Sequence, residues 1–256
     1  MNLINTDLNF WFYWLIFCGI ILSGYFVMAF SVYYLLYSVL GQKLKALRTQ
    51  AHPQDRTAIK NDIKLSVLSC ALFAFGAACF MVCYRQGYTQ VYTRWSILDL
   101  GYISLSYITV LILQDTYFYF AHRLSHQRFF YPWTHQGHHQ SRPPTPWTFF
   151  ALEPLEALGQ AAFLFCITFI MPLHIGVLIA ILLTMSTWAM GNHLGVQIVP
   201  NSFISRNLGQ WFIGSAHHLV HHKKITHHYG LYFTFWDKFL GTQDPDYEEK
   251  RLSGAF

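Results

Sequence analysis

Charge is what this chain has least of. Only 11% of its 256 residues are Asp, Glu, Lys or Arg, against about a quarter in an ordinary soluble domain. Hydrophobic residues make up 54% and aromatics 18%, and the mean hydropathy is +0.28. The deficit argues against a soluble enzyme and for an integral membrane protein with an all-α fold. The net charge of +5 is small, and the basic residues flank apolar runs instead of forming a stripe. Nucleic acid is therefore not the expected partner; lipid headgroups and membrane orientation account for the charge better.

Other absences narrow the reading further. The five cysteines, Cys18, Cys70, Cys79, Cys83 and Cys166, all sit in apolar runs. None forms a Cys-x-x-Cys pair, so neither a zinc knuckle nor a redox motif is indicated, and they read as small core residues. Residues 1–8 hold Asp7 but no Lys or Arg; with no positive n-region, the apolar run that follows is expected to be a retained span. No haem-binding segment or iron–sulfur cysteine set is visible. There is no internal repeat and no low-complexity stretch.

What is present is a series of long apolar runs. The first covers residues 8–40, with Phe10, Trp11, Tyr13 and Trp14 at one end and Tyr33, Tyr34 and Tyr37 at the other, a pattern suited to two interfacial belts. Residues 41–64 form a basic loop containing Lys43, Lys45, Arg48, Arg56, Lys60 and Lys64, with room for a short surface helix. A second span is expected over 65–84 and a third over 97–121, the latter running directly into His122. Asp115 lies inside that third span, two helical turns before His122 on the same face. A carboxylate there is expensive and by default functional; it is expected to accept an N–H from an imidazole that binds metal. Residues 141–146, Ser-Arg-Pro-Pro-Thr-Pro, break any helix. Residues 158–190 are apolar again, interrupted by Pro172 and His174. They read as a helical hairpin with halves of about 15 residues, roughly 22 Å each. The expected architecture is a multi-pass transmembrane helical bundle of about three spans plus this hairpin, carrying a cytoplasmic histidine-rich helical cap. Residues 1–109 would be membrane-anchor helices and basic loop, and residues 110–256 the catalytic region.

Orientation follows from counting. If 41–64, 122–157 and 191–256 share a side, they carry six, three and six of the seventeen Lys and Arg, leaving Arg85 and Arg94 opposite. Positive-inside then places that side in the cytoplasm, of a bacterial inner membrane or of the endoplasmic reticulum. Arg123, Arg128 and Arg142 are read either as part of this bias or as contacts for a lipid headgroup or carrier protein.

The same side collects the histidines. His122 and His126 are four apart, as are His135 and His139, with His138 beside them; His218, His221 and His222 repeat the three-four spacing. Such spacings put imidazoles on one helical face, and neutral imidazole is the commonest metal ligand. One such pair means little, but three on one predicted membrane face have no packing rationale. Eight imidazoles exceed the needs of one ion and suggest two metals. The pattern is neither the Glu-rich scheme of soluble di-iron bundles nor the His-Glu-x-x-His of zinc proteases. A histidine-rich metal transporter would set its ligands at the midplane of broken helices. A zinc-dependent membrane hydrolase would need a base carboxylate beside them.

The order His-x-x-x-His, His-x-x-His-His and a distant His-x-x-His-His resembles the fatty acid hydroxylase/sterol desaturase superfamily, over roughly residues 110–243. Supporting features are Asp115, Tyr131-Pro132-Trp133, Asn192-His193, Tyr229-Gly230 and Trp236-Asp237 followed by Gly241-Thr242. The resemblance implies a cytoplasm-facing pair of iron ions that activates dioxygen to hydroxylate or desaturate an unactivated C–H bond of a lipid such as a fatty acyl chain or sterol. It implies electrons from NAD(P)H through a separate carrier and reductase. Carried over by position, the ligands would be His122, His126, His135, His138, His139, His218, His221 and His222, with His193 the ninth. His217 and His227 are candidates for ligation or for contact behind the ligands, and Asp115 and Asp237 for the latter. Two departures stand out: Glu153 occupies a place where the family often has histidine, and His228 precedes Tyr229 where Asn is expected. His52 and His174 match no box and are read as structural or solvated.

Overall fold

A computed structural model describes residues 9–44, 55–94, 96–196 and 208–253. Helix α1 spans Phe10–Tyr34, capped by the Asn9 side chain accepting from the Phe12 N–H at 2.9 Å, and passes into a π-helical turn over Leu35–Val39. It has no polar face, as expected for a lipid-facing helix, and Trp11, Leu15, Ile20, Val27 and Phe30 point outward. Helix α2 covers Arg56–Arg85 behind an Asp55 cap. Helix α3 covers Leu100–Ser125, led in by a 3₁₀ turn over Ile97–Asp99. Then come the short α4, Tyr131–Thr134, and the hairpin helices α5, Pro154–Ile170, and α6, Ile175–Asn192. The cap continues with α7, Ser215–Lys223, α8, Phe235–Phe239, and α9, Tyr247–Ser253. Among the described residues there is no β-strand beyond two isolated bridges.

Among the described residues, four helical segments are long and apolar enough to cross a membrane: Phe10–Val39, Arg56–Arg85, Ile97–Ser125 and Ile175–Asn192. The multi-pass helical bundle is thus present, with two differences from the sequence reading. Helix α2 starts nine residues before the expected span. Its first turns are held because Asp62, buried in spite of its charge, accepts from Ser141 Oγ and, at 2.7 Å, from Thr148 Oγ1. The hairpin halves are also longer than expected, 17 and 18 residues. Pro154 pre-sets the first turn of α5, and His174 caps α6 by accepting from the Gly176 N–H at 3.1 Å, which gives that histidine its structural role. Residues 45–54, including His52 and the middle of the expected basic loop, lie outside the described residues, and residues 56–64 of that loop are helical.

Two apolar clusters join the helices. Tyr25, Ala29, Cys70, Phe149, Phe150 and Met190 pack α1, α2 and α6 around the 149–150 segment. Val110, Ile167, Leu173, Val177 and Ile181 pack α3 against the hairpin. Helices α2 and α5 approach so closely that a Cβ on Gly76 would stand 3.0 Å from that of Ala161. At one end of the bundle Arg85 reaches Tyr13, and Tyr102 reaches the Pro172 carbonyl. At the other, Tyr37 donates to the Leu194 carbonyl and Asp62 holds the 141–148 segment. That second end carries all of the histidine boxes.

Candidate metal centre

Four stretches of chain converge there. The end of α3 delivers His122, and His126 is its C-terminal cap. The turn after α4 brings His135, and a 3₁₀ turn over His138–Gln140 brings His138 and His139. The end of α6 presents His193, and α7 presents His218, His221 and His222. All but His126 are buried below 9% exposure, and His126 is half-buried.

The nine imidazoles divide into two groups. His122, His126, His135, His139 and His221 form one, and His138, His193, His218 and His222 the other; within each, one ring nitrogen per residue lies within 4.8 Å of all the rest. Chain neighbours are split: His138 and His139 go to different groups, as do His221 and His222.

Hydrogen bonding fixes which nitrogen faces inward. Nδ1 of His122 faces the Tyr229 carbonyl at 2.9 Å, and Nδ1 of His135 faces Glu156 Oε2 at 2.8 Å. Nδ1 of His138 faces the Ala151 carbonyl at 3.0 Å, that of His193 the Ala189 carbonyl at 2.6 Å, and that of His221 the His227 carbonyl at 2.7 Å. A carbonyl only accepts, so in His122, His138, His193 and His221 Nδ1 carries the hydrogen and Nε2 is a bare lone pair. The same holds for His135 with Glu156 ionised, a state that burial and Glu153 oppose by raising the Glu156 carboxyl well above its usual range and that a cation beside His135 Nε2 would favour. Yet Nε2 of His122 lies 2.8 Å from Nε2 of His135, and Nε2 of His138 lies 3.3 Å from Nε2 of His193. Each group therefore contains two lone pairs aimed at one another, an arrangement that repels unless a cation lies between them. A proton is a poor candidate. Burial, reinforced by the neighbouring imidazoles, holds His135 well below the usual histidine range. Burial holds His138 at about 4 and His193 at about 3. Uncharged, convergent and directed imidazoles suit a divalent metal in each group. Both nitrogens of His126 are buried without a protein partner, and Nε2 of His139 and of His222 faces Nε2 of His221 at 2.9 Å and of His218 at 3.1 Å, inside the respective groups.

The remaining candidates occupy different places. Asp115 Oδ1 accepts from the backbone N–H groups of Leu231, Tyr232 and Phe233, at 3.2, 2.7 and 3.2 Å, instead of from an imidazole as expected from the shared helix face. It pins the segment whose Tyr229 carbonyl orients His122. Asp237 pins the same segment from the other side, accepting from the N–H groups of Tyr229 and Gly230 and from Thr242 Oγ1. Burial pushes its carboxyl up to about 6 against these donors. His217 stands outside both groups, stacked on His228 with centroids 3.7 Å apart. The His227 ring is away from the groups, beside Thr226; only its carbonyl meets His221. His228 has φ of 64°, a region that Asn and His enter more readily than most residues, which accounts for histidine where Asn was expected. Glu153 accepts from the Gly137 N–H at 2.7 Å and so steadies the turn that carries His138. Arg142 donates to the His139 carbonyl and Arg123 to Tyr119. Sequence reasoning missed the role of Glu156; a buried carboxylate in the first turn of an apolar helix was the available signal.

Gly230 tests this segment. A Cβ there would lie 2.6 Å from both the Phe233 carbonyl oxygen and Ile213 Cδ1. The backbone atom cannot step aside, so Gly230→Ala is expected to destabilise the fold by about 3 kcal/mol, the upper end for overpacking. Thermal unfolding in detergent measures this; an unchanged midpoint would show that the segment is looser than its contacts imply.

Fold and site together define a multi-pass membrane protein with paired histidine clusters at one membrane face. The fatty acid hydroxylase family model matches residues 107–242, just over half the chain, and the chain belongs to that family. It is 29% identical over 221 residues to the lathosterol oxidase of Rattus norvegicus, covering 85% of this chain and 70% of that protein. The corresponding figures for the Homo sapiens lathosterol oxidase are 27% over 226 residues, 88% and 71%. A Delta(7)-sterol 5(6)-desaturase of Gibberella zeae is 26% identical over 217 residues, covering 80% and 64%. No solved structure matches the chain significantly.

Proposed function

We propose that this protein is a di-iron lipid oxygenase, which uses dioxygen and two electrons to desaturate or hydroxylate an unactivated C–H bond. The observation that carries the reading is the presence, in each histidine group, of two lone pairs directed at one another. Two iron ions, one in each group, would supply the dioxygen-activating redox chemistry. His122, His126, His135, His139 and His221 would hold one ion, and His138, His193, His218 and His222 the other. The fixed Nδ1 acceptors turn five of these rings before any metal arrives, which lowers the reorganisation that binding requires.

The lipid's route is supported by a cavity of about 430 Å³ among α1, α2, α5 and α6, within the size range of ligand pockets. Its walls are almost wholly apolar, with Phe149 and Phe150 at the histidine end, so it binds a hydrocarbon body and excludes water. The names of the relatives favour a sterol over an acyl chain and desaturation over hydroxylation. The distribution of Lys and Arg supports a cytoplasmic histidine face, where a separate carrier would deliver electrons from NAD(P)H.

The test is metal analysis and turnover on detergent-purified protein supplied with a reductase, a carrier and NADPH. The expected result is two irons per chain, dioxygen consumption, and a sterol product lighter by two hydrogens or heavier by one oxygen. A single tightly held zinc with no dioxygen uptake would overturn the assignment.

A further inference from the structure

Gln160 lies on α5, one turn after Glu156, and is 5% exposed. Its side chain lines the large apolar cavity and also a smaller pocket of about 140 Å³ that touches His122 and Glu156. It therefore stands where the membrane cavity meets the histidine groups. Its Oε1 is buried and has no hydrogen-bond partner. Among the described residues lining either cavity, no other has a buried side-chain polar atom in that state. Two other polar groups along the large cavity are satisfied: Tyr25 donates to the Trp147 carbonyl and Thr168 to the Phe165 carbonyl. An acceptor left bare in an apolar wall is costly unless a ligand completes it. A bare acceptor calls for an O–H or N–H, which an ether or a hydrocarbon lacks.

We propose that Gln160 is a specificity-determining residue, whose amide oxygen accepts a hydrogen bond from a hydroxyl on the lipid in the cavity. The lipid's hydroxyl-bearing end is then the end brought to the histidine groups, and its apolar remainder lies between α1, α2, α5 and α6. The part of this that concerns a substrate rests on the oxygenase reading above. The part that concerns selectivity is a property of the cavity and needs no turnover.

The experiment is equilibrium binding to the purified full chain in detergent, by competition against tritiated cholestanol. The competitors are cholestanol and its methyl ether, and hexadecan-1-ol and its methyl ether. Wild type is expected to prefer an alcohol over its ether by about 3- to 10-fold, the value of one neutral hydrogen bond. Gln160→Met, similar in length but without an acceptor, should bind the alcohol more weakly by that factor and show no preference. Gln160→Glu, which keeps an acceptor, should retain the preference. The pair that discriminates identifies a ring or a chain as the body. Equal binding of alcohol and ether to wild type overturns the proposal, as does failure of both alcohols to bind. A preference that persists in Gln160→Met overturns it too. Should a variant not fold, the alcohol–ether comparison on wild type still decides against the proposal if no preference is found. Equal binding of alcohol and ether to wild type would count against the proposal while two irons per chain and dioxygen uptake stand, and absence of oxidation would count against the oxygenase reading while the alcohol preference stands, so the two readings fail separately.

Discussion

Replacing His138 and His139 one at a time with alanine is expected to remove different metal ions. The two residues are adjacent in sequence, yet the ring of His138 joins His193, His218 and His222, whereas that of His139 joins His122, His126, His135 and His221. Each variant should retain one ion per chain in place of two, and both should lose lipid oxidation to background. The remaining ion should differ in environment. In His138→Ala it would be held by the group of five; in His139→Ala by the intact group of four. His138→Ala also frees the Ala151 carbonyl that now accepts from the ring at 3.0 Å, so a modest loss of stability should accompany the loss of metal. Metal quantification with a spectroscopic comparison of the two variants decides the matter. Identical residual spectra would show that both histidines serve one site and that the division into two groups is wrong.

That division marks the limit of what sequence pattern conveys. The boxes and their gathering at one end of the helical bundle are legible because three- and four-residue spacings and hydropathy are local properties. The partition within a box is not. His138 and His139 lie on a 3₁₀ turn and His221 and His222 on α7. Successive residues there project about 100° to 120° apart, and only the packing of the partner elements determines which neighbour faces which group. Asp115 shows the same limit. Its helical phase relative to His122 is readable, and a functional carboxylate was expected, but its partners are three N–H groups more than 110 residues away. No helix-face argument reaches them. The start of α2 differs from the expected span because Arg56, Lys60 and Lys64 read as a basic loop, while the contacts of Asp62 with Ser141 and Thr148 hold this stretch in the helix.

Glu156 is the residue whose loss should separate metal affinity from fold most cleanly. Its carboxylate accepts from Nδ1 of His135 at 2.8 Å, with both side chains below 10% exposure. The bond fixes the tautomer and the ring plane, and the negative charge raises the basicity of the opposite nitrogen. Glu156→Leu removes both effects and strands a buried N–H. Affinity of the five-histidine group for iron is expected to fall by about 10- to 100-fold, the usual cost of removing such a partner. The four-histidine group should be unaffected, because its acceptors are the backbone carbonyls of Ala151 and Ala189. Glu156→Gln keeps an acceptor but no charge, so it should restore orientation without basicity and fall between the two. Chelator competition on each variant reads the affinities, and thermal unfolding of the metal-free proteins reads any structural loss. Equal weakening of both groups would mean that Glu156 acts through the fold as a whole. Weakening confined to one group, graded from Glu to Gln to Leu, is what a carboxylate bonded to one ligand's ring requires.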